Sequence, residues 1–89
     1  MKVTVESNLD IWGDQTELEL EPHATLRDLL ENMSTKIRFS LIDPETGEAD
    51  SFLQLRVNGR EHFVLPERLD TPLHDGDLVE IVVTVAAGG

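Results

Sequence analysis

Residues 75–89 read DGDLVEIVVTVAAGG, and this stretch decides the fold. From Leu78 to Val85 the sequence is nearly continuous and apolar, interrupted by Glu80 and Thr84. Such a run reads as a strand buried on both faces, often paired in parallel at the centre of a sheet. Ala86, Ala87, Gly88 and Gly89 follow it. Glycine holds a fixed backbone less well than any other residue, so Gly88 and Gly89 do not prolong the strand. Residues 1–85 are therefore expected to form the domain and residues 86–89 a flexible tail. At ~3.5 Å per residue that tail reaches at most about 14 Å.

Outward from this strand, Asp75-Gly76-Asp77 reads as a tight turn, with Gly76 supplying the permissive φ and the aspartates bonding nearby amides. Acids around a glycine also suggest a divalent cation, but the ligand count of a calcium loop is missing. The preceding PERLDTPLH is a connection with room for a single helical turn. Before it, FLQLRVNGREHFVL places Asn58-Gly59 between two apolar runs, the signature of a type I′ hairpin. At the other end, Lys2–Glu6 and Thr16–Glu21 alternate apolar and polar residues, giving two half-buried strands linked as a hairpin. Trp12 lies in that link and reads as a cap on the core.

Leu26, Leu29, Leu30 and Met33 form one helical stripe, with Thr25 and Asp28 as a capping box. Ile37, Phe39 and Leu41 alternate and suggest another strand, followed by an exposed acidic loop from Asp43 to Asp50. The order is strand, strand, helix, strand, hairpin, strand. One helix then covers one face of a mixed sheet of about five strands, with the last strand beside the first. That is an α+β roll of the β-grasp, ubiquitin-like type.

Eighty-nine residues allow one modest core, burying ~60% of the unfolded surface. The net charge of −11 opposes binding to nucleic acid or an anionic membrane, and suits basic partners as well as solubility. The absence of cysteine excludes disulfides, a thiolate metal site and a thiol nucleophile. MKVTVES alternates like a strand and is no signal peptide, so the expected location is cytoplasmic. Phosphate-loop, dinucleotide, zinc-protease and nucleophile-elbow patterns are absent, and His23, His62 and His74 are scattered and read as surface residues. No catalytic or metal-binding residue is expected.

The tail remains. Its carboxylate is a poor electrophile, because attack adds charge to an anion. Coupling to AMP creates a mixed anhydride with a good leaving group, and a persulfide can then leave sulfur on the terminus. No ATP cradle is visible here, so ATP is used by an activating partner and no cofactor is bound.

With these residues in place, the chain resembles the ThiS/MoaD family of ubiquitin-like sulfur carriers. The resemblance rests on Val57-Asn58-Gly59, Leu73, Asp75-Gly76-Asp77 and Gly88-Gly89. It implies that Gly89 is adenylated and converted to a thiocarboxylate. Gly88, Ala87 and Ala86 are then the stalk that enters a partner's channel. The implied partners are a ThiF/MoeB-type adenylyltransferase and a persulfide donor (cysteine desulfurase or rhodanese). The implied acceptor is the molybdopterin synthase large subunit in a molybdopterin or tungsten-pterin route, or next a thiazole synthase in thiamine synthesis. Two other readings stand beside it: a ubiquitin-like modifier conjugated to lysines through Gly89, and a β-grasp interaction module without chemistry.

Overall fold

The computed structural model describes residues 1–7, 15–37, 41–49 and 53–83. β1 (Lys2–Ser7) and β2 (Gln15–Glu19) form the expected antiparallel pair, Val3 opposite Leu18. β2 stops short of Glu21, although Leu20 still donates its amide to the Met1 carbonyl. Pro22, without an N–H, cannot carry the ladder further. Helix α1 spans Leu26–Ile37, and β3 (Leu53–Val57), β4 (Arg60–Glu61) and β5 (Leu78–Val83) complete the sheet. The strand order is β2-β1-β5-β3-β4. β5 runs parallel to β1 and antiparallel to β3, so the last strand does lie beside the first, in the middle. This is the expected α+β roll with β-grasp topology.

α1 forms where its caps and stripe predict. The Thr25 amide donates to the Asp28 carboxylate at 2.9 Å, and the Asp28 amide donates back to the Thr25 hydroxyl at 3.3 Å. Two otherwise orphaned donors are thus satisfied. Leu26, Leu29, Leu30 and Met33 are buried against Val3, Val5, Leu55, Val79 and Ile81 on the inner sheet face.

Three expectations change. First, of the strand expected from Ile37 to Leu41, Ile37 belongs to α1 and Leu41 to a bend; Arg38 to Ser40 lie outside the described residues. Ile37 stands four residues after Met33, and this helical spacing prevails over the alternation with Phe39. Second, HFVL does not continue the hairpin. β4 ends at Glu61, and His62–Val64 form a 3-10 turn closed by the Leu65 amide on the His62 carbonyl. Pro66 follows at once. Third, β5 is buried on one face only. Val79 and Ile81 are fully enclosed, while Leu78, Glu80 and Val82 are half-buried on the face opposite α1, which no described helix covers.

The single helical turn expected in the PERLDTPLH connection is present as a second 3-10 turn, Arg68–Asp70. The acidic loop is pinned at its base, where Ile42 bridges Ala49, and Arg27 of α1 donates to the Gly47 carbonyl and to Asp70.

Candidate functional site: the platform of the C-terminal strand

Ala86, Ala87, Gly88 and Gly89, the residues expected to act, lie outside the described residues, as do Thr84 and Val85. Trp12 does too. The structure therefore shows the platform that carries the tail, up to Val83.

β5 is held from both sides. Leu78 to Ile81 pair with Thr4 to Ser7, and Val79 to Val83 pair with Val57 to Leu53. Its entry is fixed by a web of amides and carboxylates. The Lys2 amide donates to Asp75 Oδ1 at 2.7 Å, and the Gly76 amide, at φ 88°, donates to the Lys2 carbonyl. Asp77 accepts the His74 amide at 2.8 Å and the Asn58 side-chain amide at 3.0 Å. Asn58 Oδ1 in turn accepts the Leu78 amide at 2.9 Å. Asn58 and Gly59 both have positive φ (51° and 85°), as a type I′ turn requires. One side chain thus joins the hairpin turn to the start of the last strand.

The same web settles the reading of Asp75-Gly76-Asp77. Its carboxylate oxygens take amide donors from Lys2, His74 and Asn58, which is turn chemistry. Among the described residues no group of three or more His, Cys, Asp or Glu is arranged to hold a metal ion.

The sheet face opposite α1 is acidic. The register sets Glu6 beside Glu80, Glu17 beside Thr4 and Glu19 beside Lys2. Arg56 sits among them, 3.1 Å from Glu61 and 3.9 Å from Glu80.

The histidines divide. His23 and His74 are exposed, as expected. His62 is not a plain surface residue: its Nδ1 is buried without a hydrogen-bond partner among the described residues. Burial lowers its pKa from 6.5, against the raising influence of Glu48 and Glu61. Sequence reading took it for a surface histidine, because a lone histidine near a turn carries no signal of what packs over it.

A β-grasp domain whose central last strand runs on into a Gly-Gly end can be compared with known proteins. The sequence pattern of the ThiS family matches residues 6–89. The chain belongs to the ThiS family. No curated protein matches it significantly.

Solved structures of similar fold extend the relation. The HVO 2177 protein of Haloferax volcanii is 25% identical with a TM-score of 0.81, the match covering 100% of this chain and 87% of the other. A Pyrococcus furiosus protein proposed to be subunit 1 of a molybdopterin converting factor is 28% identical (TM-score 0.68, 94% and 98% covered). Small archaeal modifier protein 1 of Methanosarcina acetivorans is 20% identical (TM-score 0.71, 96% and 94% covered), which shows the fold. This chain is thus a small β-grasp, ubiquitin-like domain of the ThiS family. No described helix is long and apolar enough to cross a membrane.

Proposed function

We propose that this ThiS-family chain acts through the carboxylate of Gly89, which a ThiF/MoeB-type adenylyltransferase activates with ATP. The observation that carries the reading is the β-grasp platform itself: β5, paired on both sides, leads directly into Thr84–Gly89. The acyl adenylate then has two fates. In one, a lysine amine of a target protein takes the acyl group and an isopeptide bond forms. In the other, a persulfide attacks the acyl carbon and AMP leaves. A thiol of the donor then takes the inner sulfur as a disulfide, and the thiocarboxylate is released.

The modifier fate, the second choice from sequence alone, moves to the front. Similarity to the archaeal modifier fold supports it. The sulfur-carrier fate, with a pterin route ahead of thiamine, is supported by the family and by the Pyrococcus likeness. The acidic sheet face suits a partner with a basic rim in either case. Such steering weakens with salt, because the Debye length falls to ~3 Å at 1 M.

Mass spectrometry of protein isolated from its host tests both fates. A thiocarboxylate exchanges one terminal oxygen for sulfur. A conjugate leaves residues 69–89 on a lysine after trypsin, because Arg68 is the last lysine or arginine. A terminus that is neither thiolated nor linked, in cells where the adenylyltransferase is active, refutes the proposal.

A further inference from the structure

β2 is an outer strand of the sheet, with β1 on one side and no described strand on the other. Its backbone groups divide by position. Met1 and Leu20 exchange both hydrogen bonds, each at 2.8 Å. In an antiparallel ladder such pairs alternate with unbonded ones, so Val3–Leu18 and Val5–Thr16 are bonded as well. The N–H and C=O groups of Glu17 and Glu19 therefore point away from β1. Among the described residues no backbone bond closes that side.

A cleft of about 510 Å³ adjoins the end of this edge. Buried Leu20 and Ala24 form its apolar part, and Glu19, Glu21, Asp28 and Asn32 its polar part. Glu19 pairs with Lys2 at the end of the sheet where β5 begins, and Val83 stands at the other end.

Charge selects the occupant. Glu17, Glu19, Glu21 and Asp28 face two cations: Lys2, opposite Glu19, and the Met1 amine, 3.6 Å from Glu19. Exposed His23 also lines the cleft. Asp28 is already engaged in capping α1. Glu17 stands opposite Thr4 and, like Glu21, has no ion pair among the described residues. A second copy on this edge would set glutamate against glutamate, and like charges directly opposite are unfavourable. Lysine or arginine opposite them is favourable for the same reason.

We propose that the open edge of β2 takes an extended basic segment of a partner protein as an added antiparallel strand. Its lysines or arginines stand opposite Glu17 and Glu19. Its intervening small apolar side chains lie on the α1 side, as Leu18 and Leu20 do, toward Ala24 and the cleft. Backbone bonds hold such a strand, and the alternating side chains select it. The proposed function is not needed for this contact, since no residue of the terminal segment belongs to it.

The test uses the full chain, isotope-labelled, and a synthetic peptide alternating lysine and valine. Fluorescence anisotropy at low salt should show saturable binding, and the Glu17 and Glu19 amides should become protected from hydrogen exchange. Glu17→Gln/Glu19→Gln should weaken binding about fivefold, the scale of two cross-strand ion pairs, and should melt close to the original. The same peptide N-methylated at its lysines keeps its charge but loses the donors that face β2, and should bind at least about tenfold more weakly. No saturable binding overturns the inference. Equal binding of the two peptides, or binding without protection at Glu17 and Glu19, reduces the contact to charge and overturns the added strand. Protection of both amides in the free chain shows the edge already taken, by a second copy if the chain sediments as a dimer, and also overturns it.

Discussion

Asn58 is the residue at which the platform can be tested most sharply. Replacement by alanine removes two things. It places a β-carbon-bearing residue with no polar side chain at φ 51°, and it deletes the bonds to Asp77 and to the Leu78 amide. The left-handed backbone costs an ordinary residue roughly 1 kcal/mol more than asparagine, which visits that region readily. Each hydrogen bond is exposed, so about 0.5 kcal/mol apiece is appropriate, the low end of the net range. Asn58→Ala should therefore lose about 2 kcal/mol. For a domain of this size that is a melting point lower by ~8–16 °C. Asn58→Gly keeps the backbone free and loses only the bonds, so it should cost about 1 kcal/mol. Thermal unfolding followed by circular dichroism, with urea titrations for the free energies, reads the difference. Equal losses for the two variants would refute the backbone part of the argument. A loss under about 0.5 kcal/mol for alanine would refute all of it, since that is the level of an ordinary surface change.

Leu55 is fully enclosed on the inner sheet face, and Leu55→Ala should cost about 3 kcal/mol in a urea titration, a large part of the ~4–13 kcal/mol available to a domain of this length. His62 has a lowered pKa when folded, so below 6.5 the unfolded chain binds the proton more readily. Stability should fall as pH drops from 6.5 through the lowered value, and His62→Gln should remove that part of the slope between pH 7 and 5. One alanine added after Gly89 displaces the carboxylate by about 3.5 Å, while errors near 1 Å can cost ~100-fold in rate. The extended chain should melt like the original and fail to form an adenylate; activation at the normal rate would contradict the role of the terminus.

Much of the fold was legible from local chemistry. The capping box at Thr25 and Asp28, the stripe from Leu26 to Met33 and the Asn58-Gly59 turn each carry their signal within a few residues, and each forms as read. The parallel partnership of β5 with β1 was legible for a different reason. With one helix to cover one face, the most apolar strand has its best burial in the middle. The misreadings occurred where two periods competed or where the chain met a proline. Ile37 fits a helix after Met33 as well as a strand before Phe39, and only the packed helix decides. His62 to Leu65 have strand-like composition, yet turn away ahead of Pro66 and leave Phe63 and Val64 exposed.

The candidate site divides in the same way. Sequence alone determined the class of the protein, because the Gly-Gly end, the Asp75-Gly76-Asp77 turn and the last strand are contiguous, and contiguous features need no folding to be seen. It could not show that Asn58 bonds across 20 positions to Leu78, or that Glu6 and Glu80 stand side by side. Nor could it show that Leu53, beside a cleft at His62, stands opposite Val83. Those facts depend on register, and register is set by burying one whole face of the sheet against α1. A slip of one residue would turn every side chain of a strand to the other side. Only the assembled core chooses among such alternatives.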